Sequence, residues 1–227
     1  MQLTVRDVAK LFSVSESTIY HWIEEDELPA FHLNDQYRFN RTELLEWANS
    51  RQIPVPDLFH QLSAAANTAG ITDALKAGGI FYGIGGGNKE EALRSVVQVL
   101  PLPQEVDRSH LFNVLWAREN LASTGIGDGI AIPHVRNPII VPVNHPLITL
   151  CFLEKPIDFG SLDGRPVYVL FTLISPTIRV HLQLLSRLSF SLREPEFRSE
   201  LERRAAADKI LQAALHAESR FKDSSAQ

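Results

Sequence analysis

An α/β fold is predicted: a C-terminal sheet of mixed strands flanked by helices on both faces, preceded by a small, separate N-terminal module. Three observations predict it. The runs "ITLCFLE" (148–154) and "VYVLFTLI" (167–174) are continuously apolar, as strands buried on both faces are. Segments with apolar residues at helical spacing alternate with them, the pattern of helices laid on a sheet. The first 51 residues differ in character, helical in pattern and acidic, with nine Asp or Glu against five Lys or Arg. The 227-residue chain is 44% apolar and 22% charged, with a formal charge of -5, which suits a folded protein with a full core. That balance argues against a globally basic nucleic-acid binder but leaves room for a local patch. No apolar run reaches the length needed to cross a bilayer, and no signal-peptide order occurs near the N-terminus, so a cytoplasmic protein without membrane insertion is expected.

The N-terminal module, residues 1–51, is parsed by its caps. Thr4 opens a helix through "VRDVAKLF", "SVS" makes a tight turn, and Ser15 caps a second helix, "ESTIYHWIEE". Two helices joined by so short a turn have helix-turn-helix geometry. "AFHL", "ND" and "QYRFN" alternate apolar and polar residues around a turn and read as a hairpin, and "RTELLEWANSR" as a packing helix. Residues 52–77, with two early prolines and a small-residue stretch, read as a linker containing a helix or two.

The second domain is expected over 78–220. It opens with a strand at "GIFYGI" and a helix capped by Asn88, with Glu91 three residues on. Pro101 and Pro103 stop that helix, and Asp107 caps the next, "RSHLFNVLWAREN". After the two apolar strands, a helix from Thr177 carries Ile178, Leu182, Leu185, Leu188 and Leu192 near one stripe. "EFRSELERRAAADKILQAALHAE" supplies one or two terminal helices, and "KDSSAQ" reads as disordered.

Several patterns that suggest chemistry fail on inspection. "GIGGGNKEE" (83–91) is not G-x-x-x-x-G-K-S/T: Asn88 separates the glycines from Lys89, and Glu90 stands where a metal-binding hydroxyl is needed. Nor is it a dinucleotide fingerprint, so it reads as a turn before a capped helix. "DFG" (158–160) lacks the other parts of a kinase and reads as a turn. The eight histidines include no H-x-x-x-H pair and Cys151 is the one cysteine, so no metal is expected. Cys151, inside an apolar strand, reads as core filler in a reducing compartment.

What remains is "WARENLASTGIGDGIAIPHVRNP". Gly125, Gly127 and Gly129 let the backbone turn tightly, Ile130 and Ile132 can form a short strand edge, and Pro133 fixes the chain before His134. An imidazole with its ordinary pKa of about 6.5 is largely neutral near neutral pH, so one nitrogen keeps a lone pair able to attack phosphorus. Arg118, Ser123 and Thr124 are suitable partners for phosphoryl oxygens. From chemistry alone His134 is either a phosphoryl acceptor or a structural histidine, and Arg118 either a site cation or a surface ion pair with Glu119.

Two resemblances add to this. "LTVRDVAKLFSVSESTIYHWIEEDELPAF" resembles the excisionase and MerR-like winged helix-turn-helix family over nearly the whole first 50 residues. The likeness implies Ile19, Trp22 and Ile23 in the core, the second helix in the DNA major groove and a wing on the backbone, with Ser15, Ser17, Thr18, His21 and Arg38 as contact candidates. Glu16, Glu24 and Glu25 depart from that pattern by putting negative charge on the recognition helix, so the module reads either as DNA-binding or as a scaffold reused for protein contacts.

"ARENLASTGIGDGIAIPH" looks very like the active-site signature of type-2 enzyme IIA domains of the phosphoenolpyruvate-dependent phosphotransferase system, the fructose, mannitol and nitrogen-regulatory branch. The similarity runs from about Gly78 to Leu215, through "LDGRPVYVLFTLISPT" and "HLQLLSRLSFSLR". It implies His134 as phosphoryl acceptor, Arg118 as the active-site arginine and His181, opening "HLQLL", as a second histidine beside the first. Without the likeness His181 would read as a core histidine. The implied partners are an HPr-like phosphocarrier and a downstream sugar-transport subunit or regulatory target, with no cofactor. The fusion to a helix-turn-helix module implies a regulatory phosphocarrier coupled to DNA-binding transcriptional regulation; the other reading is a non-catalytic scaffold or DNA-binding protein.

Overall fold

The computed structural model describes residues 3–25, 28–33, 36–39, 44, 47, 48, 51, 53, 70–135, 143 and 145–224. The chain divides into two compact units, Met1–Ala65 and Ala66–Gln227.

In the first unit, β1 (Leu3–Thr4) leads into α1 (Val5–Phe12), followed by α2 (Glu16–Glu24), β2 (Phe31–Leu33) and β3 (Gln36–Phe39). Thr4 and Asp7 form a capping box: Thr4 Oγ1 accepts from Asp7 N, and the Asp7 carboxylate accepts from Thr4 N at 2.9 Å. Ser13, in the left-handed region at φ 55°, ends α1, and Ser15 caps α2 by accepting from Thr18 N at 3.1 Å. The tight turn between two capped helices is thus written in local side chains. Val8, Leu11, Phe12 and Ile19 are buried, and the Trp22 and Trp47 rings lie 6.0 and 5.4 Å from Phe12. The hairpin expected from sequence pairs Leu33 with Gln36, and β1 joins it in an antiparallel sheet of order β1-β3-β2. Its turn, Asn34 and Asp35, lies outside the described residues, as does most of the packing helix expected at 41–51; its Leu44, Trp47 and Ala48 are helical and buried.

The second unit holds α3 (Ile71–Gly78), β4 (Ile80–Ile84), α4 (Lys89–Val99), α5 (Arg108–Leu121), β5 (Gly125–Gly127), β6 (Ile130–Ala131), β7 (Leu147–Ile157), β8 (Val167–Ile174), α6 (Ile178–Ser191), α7 (Pro195–Glu202) and α8 (Ala207–Ser224). The sheet order is β4-β7-β8-β6-β5; β4 with β7 and β6 with β8 are parallel, β7 with β8 and β5 with β6 antiparallel. Alternate residues of the apolar strands face opposite cores. Ile148, Leu150 and Phe152 of β7 and Val169, Phe171 and Leu173 of β8 meet α3, α6, α7 and α8. Leu147, Cys151 and Leu153 with Leu170 and Ile174 meet α4 and α5. Burial on both faces is why neither strand alternates in polarity.

Two boundaries differ from the sequence reading. The end of the expected linker, 71–77, is α3, whose Ile71, Ala74 and Leu75 are fully buried; its cap is Gly70, and the Glu218 carboxylate of α8 accepts from Thr72 N and Oγ1. A capping group 146 residues away leaves no local signal. The first half of the tail expected to be disordered is helical, because α8 continues to Ser224; residues 225–227 lie outside the described residues.

Candidate functional site

Beyond β6 the chain runs through Ile132 and Pro133 to His134, which pairs in parallel with Leu173 near the C-terminal end of β8. Leu173 N donates to Pro133 O at 3.2 Å, so the proline serves this extension as an acceptor although it lacks an N–H. His134 is 3% exposed, and its Nδ1 lies 2.7 Å from Ile132 O. A carbonyl oxygen only accepts, so Nδ1 carries the ring proton and Nε2 of the neutral ring keeps the lone pair.

His181 lies in the first turns of α6, which Thr177 caps by accepting from Val180 N at 3.2 Å. Its ring is fully buried and stands 5.2 Å from that of His134, centroid to centroid, with the planes inclined at 40°. The N-terminal end of α6, the end that favours anions, therefore lies on the His134 side.

The other expected groups sit at the end of α5 and in the loop that follows. Arg118 is buried to 8% exposure, and its Nη1 donates to Ala122 O at 2.7 Å, satisfying a carbonyl at the helix terminus. The Glu119 carboxylate, 3% exposed, accepts from Thr124 N at 3.1 Å and Thr124 Oγ1 at 2.5 Å, and lies 3.2 Å from Lys89 Nζ. Ser123 Oγ donates to Phe159 O at 2.7 Å. By sequence the Ser123 and Thr124 hydroxyls are expected to serve phosphoryl oxygens. Each hydroxyl has one proton, and here both protons go to the scaffold.

The hairpin glycines have specific tasks. A Cβ at Gly125 would run into Ser161, and one at Gly129, where φ is +74°, into the Tyr168 ring. The first would press β5 against the loop before β8, and the second would press the turn into β6 against β8 itself. Cys151 is buried, which pushes its thiol up to about 12 and keeps it protonated, the core filler expected from sequence.

On the first unit the five DNA-contact candidates lie on α2 and β3. Ser15 Oγ is within 2.6 Å of Ser17 Oγ and 2.8 Å of Thr18 Oγ1, a hydroxyl cluster at the positive end of α2. His21 Nε2 lies 3.4 Å from Glu25 Oε1, and Arg38 Nη2 donates to Gln36 Oε1 at 2.6 Å. Tyr20 is 44% exposed, and its ring meets Tyr37 edge-on, linking α2 to the hairpin.

The sequence profile of the family described as phosphoenolpyruvate-dependent sugar phosphotransferase system, EIIA 2, matches residues 73–216. The chain belongs to the EIIA 2 family. A helix-turn-helix domain profile matches residues 3–52. The EIIA 2 domain is 35% identical over 142 residues, 61% of this chain and 90% of the relative, to a nitrogen regulatory protein of Pseudomonas aeruginosa. It is 33% identical over 144 residues to the fructose-specific EIIABC component of Bacillus subtilis, covering 62% of this chain and 22% of that protein. The crystal structure of the nitrogen regulatory protein IIA-Ntr from Neisseria meningitidis superposes with a TM-score of 0.53 at 28% identity, covering 60% of this chain and 92% of that one.

Lys89 and Glu119 of the EIIA 2 domain meet in the fold, although sequence places Lys89 after a glycine-rich turn and Glu119 beside Arg118. The local signal for Lys89 is its place as first residue of a helix capped by Asn88; the long-range one, its approach to α5, exists only in the fold.

Proposed function

We propose that this chain is a regulatory phosphocarrier whose EIIA 2 domain accepts a phosphoryl group on Nε2 of His134. The observation that carries the reading is the hydrogen bond from His134 Nδ1 to Ile132 O, which leaves Nε2 as the nucleophilic nitrogen. The donor is the phosphohistidine of an HPr-like carrier. The Nε2 lone pair attacks phosphorus in line, a new N–P bond forms, and the carrier N–P bond breaks with its electron pair returning to the carrier imidazole. Arg118 supplies a cation for the equatorial oxygens, and His181 orients the ring or the phosphoryl group. Ser123 and Thr124 contribute through the loop backbone they anchor. The phosphoryl group then passes to a sugar-transport subunit or stays as a regulatory mark.

The helix-turn-helix domain is the reason to read the protein as a regulator, since a transport subunit alone needs no such module. Added negative charge at His134 changes which partners the protein accepts, and DNA bound through Ser15, Ser17, Thr18, His21 and Arg38 is the output. A second reading, protein contacts in place of DNA, is favoured by the acidic α2, where His21 is paired with Glu25. Incubation with phosphoenolpyruvate, enzyme I and an HPr-like carrier, followed by intact mass, tests the first claim: an acid-labile phosphoryl adduct supports it, and no adduct across carrier variants removes it. Mobility shift on pooled genomic DNA fragments tests the second. Salt-sensitive binding supports DNA recognition, and no binding at low salt favours protein contacts.

A further inference from the structure

We propose that the Lys89–Glu119 ion pair is a positioning device for the His134 imidazole. Its consequence for rate rests on the phosphocarrier reading; its consequence for the ring does not. A continuous chain of contacts connects the two sites. Lys89 Nζ, on the first residue of α4, lies 3.2 Å from Glu119 Oε1 at the end of α5. Both Glu119 carboxylate oxygens accept from Thr124 N, and one accepts from Thr124 Oγ1. Thr124 O accepts from Ile132 N at 3.0 Å, and Ile132 O accepts from His134 Nδ1 at 2.7 Å.

The burial explains why the chain begins with a charge pair. The Glu119 side chain is 1% exposed and that of Lys89 23%, so the carboxylate is costly to bury and is offset by one cation and its bonds to Thr124. Lys89 also stands over the Phe159 ring, 5.1 Å from its centroid, and Phe159 O receives the Ser123 hydroxyl. Adjacent loop residues, Ser123 and Thr124, are therefore fastened from one cluster. With Thr124 fixed, the Ile132 carbonyl has a fixed place from which to hold Nδ1–H, and Nε2 presents its lone pair in one direction. If the pair is lost, the loop gains freedom and the ring loses its single tautomer.

The test uses the full chain labelled with nitrogen-15 in histidine, as wild type, Glu119→Gln, Lys89→Met and Lys89→Arg. Long-range proton–nitrogen NMR reads the His134 tautomer, and single-turnover transfer from a phosphorylated HPr-like carrier reads rate against carrier concentration. Wild type is expected to hold its proton on Nδ1. Glu119→Gln and Lys89→Met are expected to mix the tautomers and to lower the saturated rate about 100-fold with the carrier KM unchanged, and Lys89→Arg to restore both. If Glu119→Gln does not fold, the partly exposed Lys89 carries the test. A wild-type tautomer and rate in Lys89→Met would overturn the proposal, as would a lower rate with the ring state unchanged, which means direct contact with the phosphoryl group. If wild type takes no phosphoryl group, the phosphocarrier reading fails and the NMR arm alone decides this one.

Discussion

His134 and His181, 47 positions apart in sequence, face one another with ring centroids 5.2 Å apart and planes inclined at 40°. The first is fixed by the parallel pairing of its backbone with Leu173, the second by the Thr177 cap that starts α6. Because β8 runs directly into that cap, one strand end sets both rings. Replacing His181 by Asn keeps a polar side chain but removes the ring. Single-turnover transfer to His181→Asn should be about 100-fold slower than to wild type, while His134 is still the labelled residue. Equal rates would make His181 a packing residue.

The hairpin before His134 is expected to be intolerant where Gly83 is not. Both Gly83 and Gly129 have positive φ, but an added Cβ at Gly83 meets nothing within 4 Å, whereas at Gly129 it meets the Tyr168 ring. Urea unfolding should show Gly83→Ala costing about 1 kcal/mol, the backbone term alone. Gly129→Ala should cost about 3 kcal/mol, because steric overlap in a packed site is added.

Glu218 caps α3 through Thr72 and lies 3.7 Å from Arg187 Nη1, with both side chains largely buried. Glu218→Ala strands a buried guanidinium and uncaps the helix, so about 3 kcal/mol of stability should be lost. Arg187→Met combined with Glu218→Ala should recover part of it, since two buried charges are then absent. Thermal unfolding of the single and double variants measures both.

In the first unit the Asp7 carboxyl is held below its ordinary value of 3.8, chiefly by the hydrogen bond from Thr4 N and then by that from Thr4 Oγ1. A carboxylate lowered in the folded state stabilises fully above its ordinary value, and that contribution is lost as pH falls through the lowered folded value. NMR titration of the Asp7 carboxyl carbon should give a midpoint below 3.8 in wild type, moving back toward it in Thr4→Ala. The same variant should lose about 1 kcal/mol of helix stability at neutral pH.

What could be read from sequence was local. Ser15, Asn88, Asp107 and Thr177 each cap the helix that follows, because a short side chain and an amide two or three residues on settle the matter between them. The continuous apolar runs are β7 and β8, and the family likeness implies the closeness of His181 to His134. What could not be read depends on the far side of the fold. Thr72 gains its capping group from Glu218, so nothing local shows that the helix expected in the linker packs into the second unit. The direction of the Thr124 hydroxyl is decided by Glu119, and the place of Glu119 by Lys89, which the sequence leaves in a glycine-rich turn. Only packing shows where the protons of Ser123, Thr124 and His134 go.

The most direct test of the account is phosphorus–nitrogen correlation NMR on the phosphorylated, histidine-labelled chain. The account predicts one phosphorus bonded to Nε2 of His134, absent from His134→Ala. Phosphorus on Nδ1 of His134, on His181, or on a labelled His134→Ala chain would contradict it.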